Sequence, residues 1–178
     1  MLTDSPIGFR SDNLPRRLTP LVGREAELIH LQQQLRDPAC RLLTLIGPGG
    51  MGKTGLAIAV AAAVEDEFAA GVCFVNLQPV GSVEQLPAAL VDALDLPLSG
   101  SIPVSEQLQH FLARKEMLLV FDNFEHLLAG ADLMSDLLTQ SPGVKLLVTS
   151  REVLNLHEEC LFPLAGLDFP PPDVDPQS

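Results

Sequence analysis

Gly47-Pro48-Gly49-Gly50-Met51-Gly52-Lys53-Thr54 matches the pattern G-x-x-x-x-G-K-[ST] without a mismatch. Its glycines lack the Cβ that would stop successive backbone N–H groups from turning inward, so such a loop cradles anionic oxygens. A helix that begins at the lysine points its positive end at the same anion. In this pattern Lys53 reaches the β- and γ-phosphates of a nucleotide, and the Thr54 hydroxyl ligates Mg2+. Gly55 follows directly. It costs the new helix about 1 kcal/mol relative to alanine, which a first turn tolerates.

Two further places put polar chemistry at the end of an apolar run. Residues 117–122, MLLVFD, deliver Asp122, followed by Asn123, Glu125 and His126. An acid at such a strand end helps to hold Mg2+ opposite a phosphate loop. The plainer alternative is an Asp that caps the next helix. Asn123 can orient water or a phosphate oxygen but cannot take a proton. Glu125 can act as a base if the turn brings it to the attacking water. Alternatively, it serves the positive end of the following helix. Residues 144–150, VKLLVTS, end in Thr149 and Ser150 and lead into Arg151. An arginine there can grip a γ-phosphate bidentately, or it can pair on the surface with Glu152 or Glu158.

The elements that must hold these groups alternate along the chain. Apolar runs at 41–47, 72–77, 117–122, 144–150 and 160–164 read as strands buried on both faces. Helical spacing marks 24–37, the Ala-rich segment from Lys53, 82–95, 104–114 and 130–141. Alternating strands and helices predict an α/β fold, a parallel five-stranded sheet with helices on both faces. Ligands of such sheets lie at the carboxyl ends of the strands, where all three motifs fall. Residues 1–20 read as an arm, 21–168 as one nucleotide-binding domain, and the Pro-rich 169–178 as a linker.

Composition narrows the classes. The chain has 178 residues, 47% apolar, with no Trp or Tyr, so the core rests on aliphatics and eight Phe. Cys40, Cys73 and Cys160 fit no zinc spacing and read as free thiols of a reducing cytoplasm. His30, His110, His126 and His157 show no metal-ligand pairing. The start lacks the apolar stretch of a signal peptide, and no run approaches a membrane span. A net charge of −12 opposes holding nucleic acid by a broad surface.

The segments LVGREAEL, GPGGMGKT, LLVFDNFEHLL and LLVTSRE, in this order, resemble the STAND class of signal-transduction P-loop ATPases, related to the NB-ARC ATPases. The likeness is greatest to bacterial transcriptional regulators and multidomain signalling proteins, and it covers about residues 13–168. It implies an ASCE-type sheet with the strand at 145–149 between the P-loop strand and the Asp122 strand. It implies an ATP/ADP switch with Mg2+, in which Val22, Gly23 and Arg24 lie against the adenine, mostly through backbone. Asp122 matches the Walker B acid and Arg151 the arginine that senses the γ-phosphate. Asn123 departs from the NB-ARC pattern, which has a second acid there. The bacterial relatives tolerate DN followed by an acid two residues on, here Glu125.

The resemblance implies a longer chain, with helical and winged-helix domains closing over the nucleotide. The segment itself is expected to be mainly monomeric, with oligomers in the ATP state of the full-length protein. The function expected is a nucleotide switch with slow intrinsic hydrolysis, since phosphoryl transfer rests on positioning and charge more than on a base. The alternatives are an AAA+-like motor or loader ATPase and a nucleotide-binding scaffold without turnover.

Overall fold

The computed structural model describes residues 9–17 and 19–166. In chain order the elements are β1 (Ser11–Asp12), α1 (Glu25–Arg36), β2 (Leu42–Ile46), α2 (Lys53–Val64), β3 (Gly71–Asn76), α3 (Leu86–Ala93), α4 (Val104–Leu112), β4 (Met117–Asp122), α5 (Ala131–Gln140), β5 (Val144–Ser150) and β6 (Glu159–Pro163). All strands pair in parallel, in the order β1-β3-β4-β5-β2-β6. β5 therefore lies between the P-loop strand β2 and the Asp122 strand β4, as the resemblance implied.

The sheet has six strands, which corrects the expected five. The additional strand, β1, falls in the stretch read as an arm. It contains no apolar run, and its pairing depends on distant groups. Ser11 donates its N–H to the Ala70 carbonyl at 2.9 Å. The Asn13 amide then extends the ladder with side-chain atoms, donating to the Phe74 carbonyl at 2.8 Å and accepting from the Phe74 N–H at 2.7 Å. The part of the arm over 1–8 and the linker expected over 169–178 lie outside the described residues.

Period-two alternation divides each central strand between two cores. Leu42, Cys73, Val75, Met117, Leu119, Phe121, Leu146 and Val148 face α3, α4 and α5. Leu43, Leu45, Val72, Leu118, Val120 and Leu147 face α1 and α2. Small residues on α2, Ala57 and Ala61, are fully buried against the sheet, so the helix that carries Lys53 and Thr54 is held close to it. Pro87 falls in the first turn of α3, where its missing N–H costs nothing. Cys40 and Cys73 are buried free thiols, and Cys160 is half-buried and free. Burial pushes the Cys40 and Cys73 thiols up to about 12. Among the described residues no helix is long and apolar enough to cross a membrane.

Gly71, the first residue of β3, has φ 76°, and a Cβ there would run into the Ser11 carbonyl oxygen. Gly71→Ala is expected to lose about 2 kcal/mol of stability, from the left-handed strain and the displaced β1. Urea unfolding of the two proteins, compared at equal m-value, checks this.

Candidate functional site

Three strand ends meet on one side of the sheet. β2 leads into the Gly-rich loop, β4 ends in Asp122, and β5 leads into Arg151. The loop needs backbone that only glycine adopts freely: Gly50 and Gly52 have φ of 79° and 81°. At Gly49 a Cβ would come within 2.7 Å of an Arg151 guanidinium nitrogen, so the exposed end of that side chain would have to move aside. Gly47 faces the Leu164 carbonyl, 3.0 Å from where its Cβ would lie, so the end of β6 closes one side of the loop. Met51 stands at the tip, and its carbonyl accepts from Arg24 at 3.3 Å.

Lys53 begins α2 and is buried. Its Nζ donates to the Gly47 and Pro48 carbonyls at 2.7 and 2.8 Å, spanning the loop. Desolvation lowers its pKa. Glu125 opposes this, Arg151 adds to it, and Asp122 opposes it. The ammonium is thus held by two carbonyls of the loop itself.

Behind the lysine, Asp122 is only 4% exposed. Its Oδ1 accepts from the Thr54 hydroxyl at 2.8 Å and from the Thr149 hydroxyl at 2.7 Å. The Thr149 oxygen in turn accepts the Asn123 N–H at 2.9 Å, and the Asn123 amide donates to Asp122 Oδ2 at 3.2 Å. Asn123 has φ 65°, a left-handed conformation asparagine tolerates better than most residues, and it turns the chain out of the sheet. Asp122 does not cap the following helix, whose N-terminus has no side-chain cap.

The turn carries Glu125 back towards Arg151. The Arg151 Nε lies 3.6 Å from Glu125 Oε1. Gln78, Asn123, Glu125, His126 and Arg151 line a cleft of about 210 Å³. His126 donates Nε2–H to the Val80 carbonyl at 2.9 Å and so is held at the cleft wall. Arg151 is paired with Glu125, and neither Glu152 nor Glu158 forms a salt bridge with it.

Val22, Gly23 and Arg24 lie just before α1. Val22 is 73% exposed, an uncovered apolar side chain, and Gly23 turns with φ 74°. The Arg24 guanidinium is buried. It donates to Glu27 Oε1 at 2.9 Å, to the Met51 carbonyl, and to the Ala165 carbonyl at 2.8 Å. Gly55, in the first turn of α2, gives its carbonyl to Arg17 at 2.9 Å, and the guanidinium lies in ordinary contact, 3.7 Å, with the place where a Cβ would stand.

Thr149, Gln78 and Arg17 join the site beside the residues that the sequence predicts. Thr149 belongs to a polar trio visible in the sequence. Gln78 stands two residues past the end of β3, the only signal it offered. Arg17 carries no local signal.

The family model of the AAA ATPase domain matches residues 20–149. The chain belongs to the AAA ATPase domain family. An uncharacterised protein of Mycobacterium tuberculosis is 37% identical over 155 residues, 86% of this chain and 39% of that protein. Another protein of the same organism, provisionally named an HTH-type transcriptional regulator, is 41% identical over 130 residues, 72% of this chain and 14% of that one. The chain thus spans less than half the length of these relatives. Among solved structures, Cdc6p of Pyrobaculum aerophilum matches with TM-score 0.58 at 21% identity, over 81% of this chain and 42% of its own. A STAND protein of Pyrococcus horikoshii with a tetratricopeptide repeat sensor matches with TM-score 0.53 at 17% identity, over 90% of this chain and 25% of its own. Both share the fold of this AAA ATPase domain.

Two outcomes are expected from this geometry. Thr149→Val removes the hydroxyl between Asp122 and Asn123 while keeping the shape. It should cost about 1–3 kcal/mol, because the buried Asp122 carboxylate loses a donor and the half-buried Asn123 N–H loses its acceptor. Thermal unfolding of the variant checks this. The Arg24 hydrogen bond holds the Glu27 carboxyl below its ordinary 4.5. A depressed folded-state value means that the pair's stabilisation is complete above pH 4.5 and fades as pH falls below it. The stability difference between wild type and Glu27→Gln should therefore shrink from pH 6 to pH 3, as measured by denaturation across that range.

Proposed function

We propose that this domain is an ATP/ADP-binding switch of a longer signalling or transcription regulator, with slow intrinsic Mg2+-dependent ATP hydrolysis. The observation that carries this reading is the buried Asp122 carboxylate, hydrogen-bonded by Thr54 from the P-loop helix and by Thr149 from the neighbouring strand. It ties the phosphate cradle to the strand that reaches the cleft.

The donor set fits magnesium. Thr54 Oγ1 and the Asp122 carboxylate are hard oxygen donors. Among the described residues no cluster of three or more His, Cys, Asp or Glu offers an all-protein cage. Mg2+ suits such a place because it keeps waters and shares itself with substrate phosphates. When bound, it neutralises charge on the β- and γ-phosphates. Lys53 exchanges the Gly47 and Pro48 carbonyls for phosphate oxygens, and backbone N–H groups from 49 to 55 hold the rest of the tail, since Pro48 has none and the Gly47 N–H is donated to the Ser150 carbonyl. Gly23 and exposed Val22 give the base an apolar seat, with the Arg24 side chain committed to Glu27, Met51 and Ala165.

Turnover is slow because the group after Asp122 is an amide. Asn123 orients water without accepting its proton. Glu125 supplies the only carboxylate lining the cleft among the described residues and takes the proton there. Arg151 senses the γ-phosphate. The relative named as a transcriptional regulator supports the regulatory context, as does the STAND resemblance. On this reading the domain works in the cytoplasm, mainly as a monomer by itself, with the rest of its own chain as its partner and oligomers in the ATP state. The net charge of −12 opposes the DNA-facing surface that a motor or loader ATPase would want.

At about 100-fold excess over Kd, Mg-ATP should stabilise the protein by about 2.7 kcal/mol, and Lys53→Ala should abolish the gain. Steady-state hydrolysis is expected on the order of 10⁻³ s⁻¹, the range of unassisted P-loop switches. An unshifted wild-type melting curve rejects nucleotide binding, and turnover above about 1 s⁻¹ rejects the switch.

A further inference from the structure

Arg151 and Glu125 come from different elements, the end of β5 and the turn after β4, yet each faces the other across the mouth of the loop. The guanidinium lies against Gly49, a residue of the phosphate cradle. Its Nε is 3.6 Å from Glu125 Oε1. The second carboxylate oxygen, Oε2, is buried and has no hydrogen-bond partner among the described residues. The Arg151 side chain is 62% exposed and that of Glu125 22%. The arginine is thus the freer partner, and the carboxylate is the fixed one.

We infer that Glu125 is an internal surrogate for the terminal phosphate: its carboxylate occupies Arg151 until a triphosphate displaces it, which sets the preference between triphosphate and diphosphate. This deepens the nucleotide reading above and rests on it.

A carboxylate oxygen and a phosphate oxygen are equivalent acceptors for a guanidinium, so the two compete for one donor. The internal pair is long and its arginine is exposed, which makes it weak. A γ-phosphate carries more charge and offers several oxygens at hydrogen-bond distance, so it wins Arg151 bidentately. A diphosphate presents nothing beyond its β-phosphate, and Arg151 stays with Glu125. The exchange lowers the affinity for the triphosphate alone, because only that ligand must break the pair. It also releases Glu125 towards the cleft with Gln78 and Asn123 when, and only when, a terminal phosphate is present. Its Oε1, the oxygen that had faced Arg151, is then free to take a water. Through this arrangement Glu125 positions Arg151 before binding and faces the reacting phosphate after it.

The test is equilibrium binding by calorimetry with magnesium, using ADP and a non-hydrolysable ATP analogue. The proteins are wild type, Glu125→Gln, Arg151→Ala and the double variant, each first checked for a cooperative melt. Glu125→Gln is isosteric and keeps the turn. It should tighten the analogue about 2- to 5-fold, the worth of an exposed pair, with ADP affinity unchanged. In the Arg151→Ala background the same substitution should leave the analogue-to-ADP ratio unchanged. The inference is overturned if Glu125→Gln leaves the ratio unaltered in the wild-type background. It is also overturned if the ratio shifts equally without Arg151, since that is a general effect of removing a negative charge. In both cases wild-type binding of the two nucleotides leaves the nucleotide reading standing. A wild type that binds neither overturns both.

Discussion

The Asp122 carboxylate is the constraint around which the site is built. It is a nearly buried charge, and such a charge persists only when its oxygens are satisfied by well-placed donors. Thr54 and Thr149 supply two hydroxyls and Asn123 supplies an amide. These donors come from α2, β5 and the turn after β4, so one carboxylate fixes the relative position of three elements. The strand order follows the same need. β5 must lie beside β4 for Thr149 to reach Asp122, and β2 beside β5 for the loop to open at the same edge.

The loop is held from its flanks as well as from beneath. Lys53 bridges the Gly47 and Pro48 carbonyls from within. The backbone after β6 closes over Gly47, where the Leu164 N–H also bonds the Ile46 carbonyl at 2.8 Å. Arg151 covers Gly49 from the cleft side, and Arg17 lies in ordinary contact beside Gly55. The missing side chains of the loop are therefore of two kinds. Those at 50 and 52 free the backbone, and that at 47 makes room for a neighbour drawn from far along the chain.

The parallel sheet was legible because five strands are continuous apolar runs of the length that two-sided burial requires. The P-loop was legible because glycine spacing, lysine and hydroxyl are local. Other features were not, and for identifiable reasons. Ser11–Asp12 is a strand without hydrophobic content, and its pairing depends on Asn13 and on Gly71, some sixty residues away. Thr149 was visible as a polar residue at a strand end. That it faces Asp122 depends on which strand lies beside β5, which follows from tertiary packing. Arg24 sits in a charged, helix-opening segment that local rules place at the surface. Its burial requires acceptors from Met51 and Ala165, and no sequence window contains both.

Arg24 has one more implication. Its guanidinium joins the rim of the anion cradle, through Met51, to Ala165, the point at which the chain leaves the sheet after β6. Removing this one side chain would therefore strand two carbonyls from distant segments and the Glu27 carboxylate at once, because all three share a single buried guanidinium as their donor.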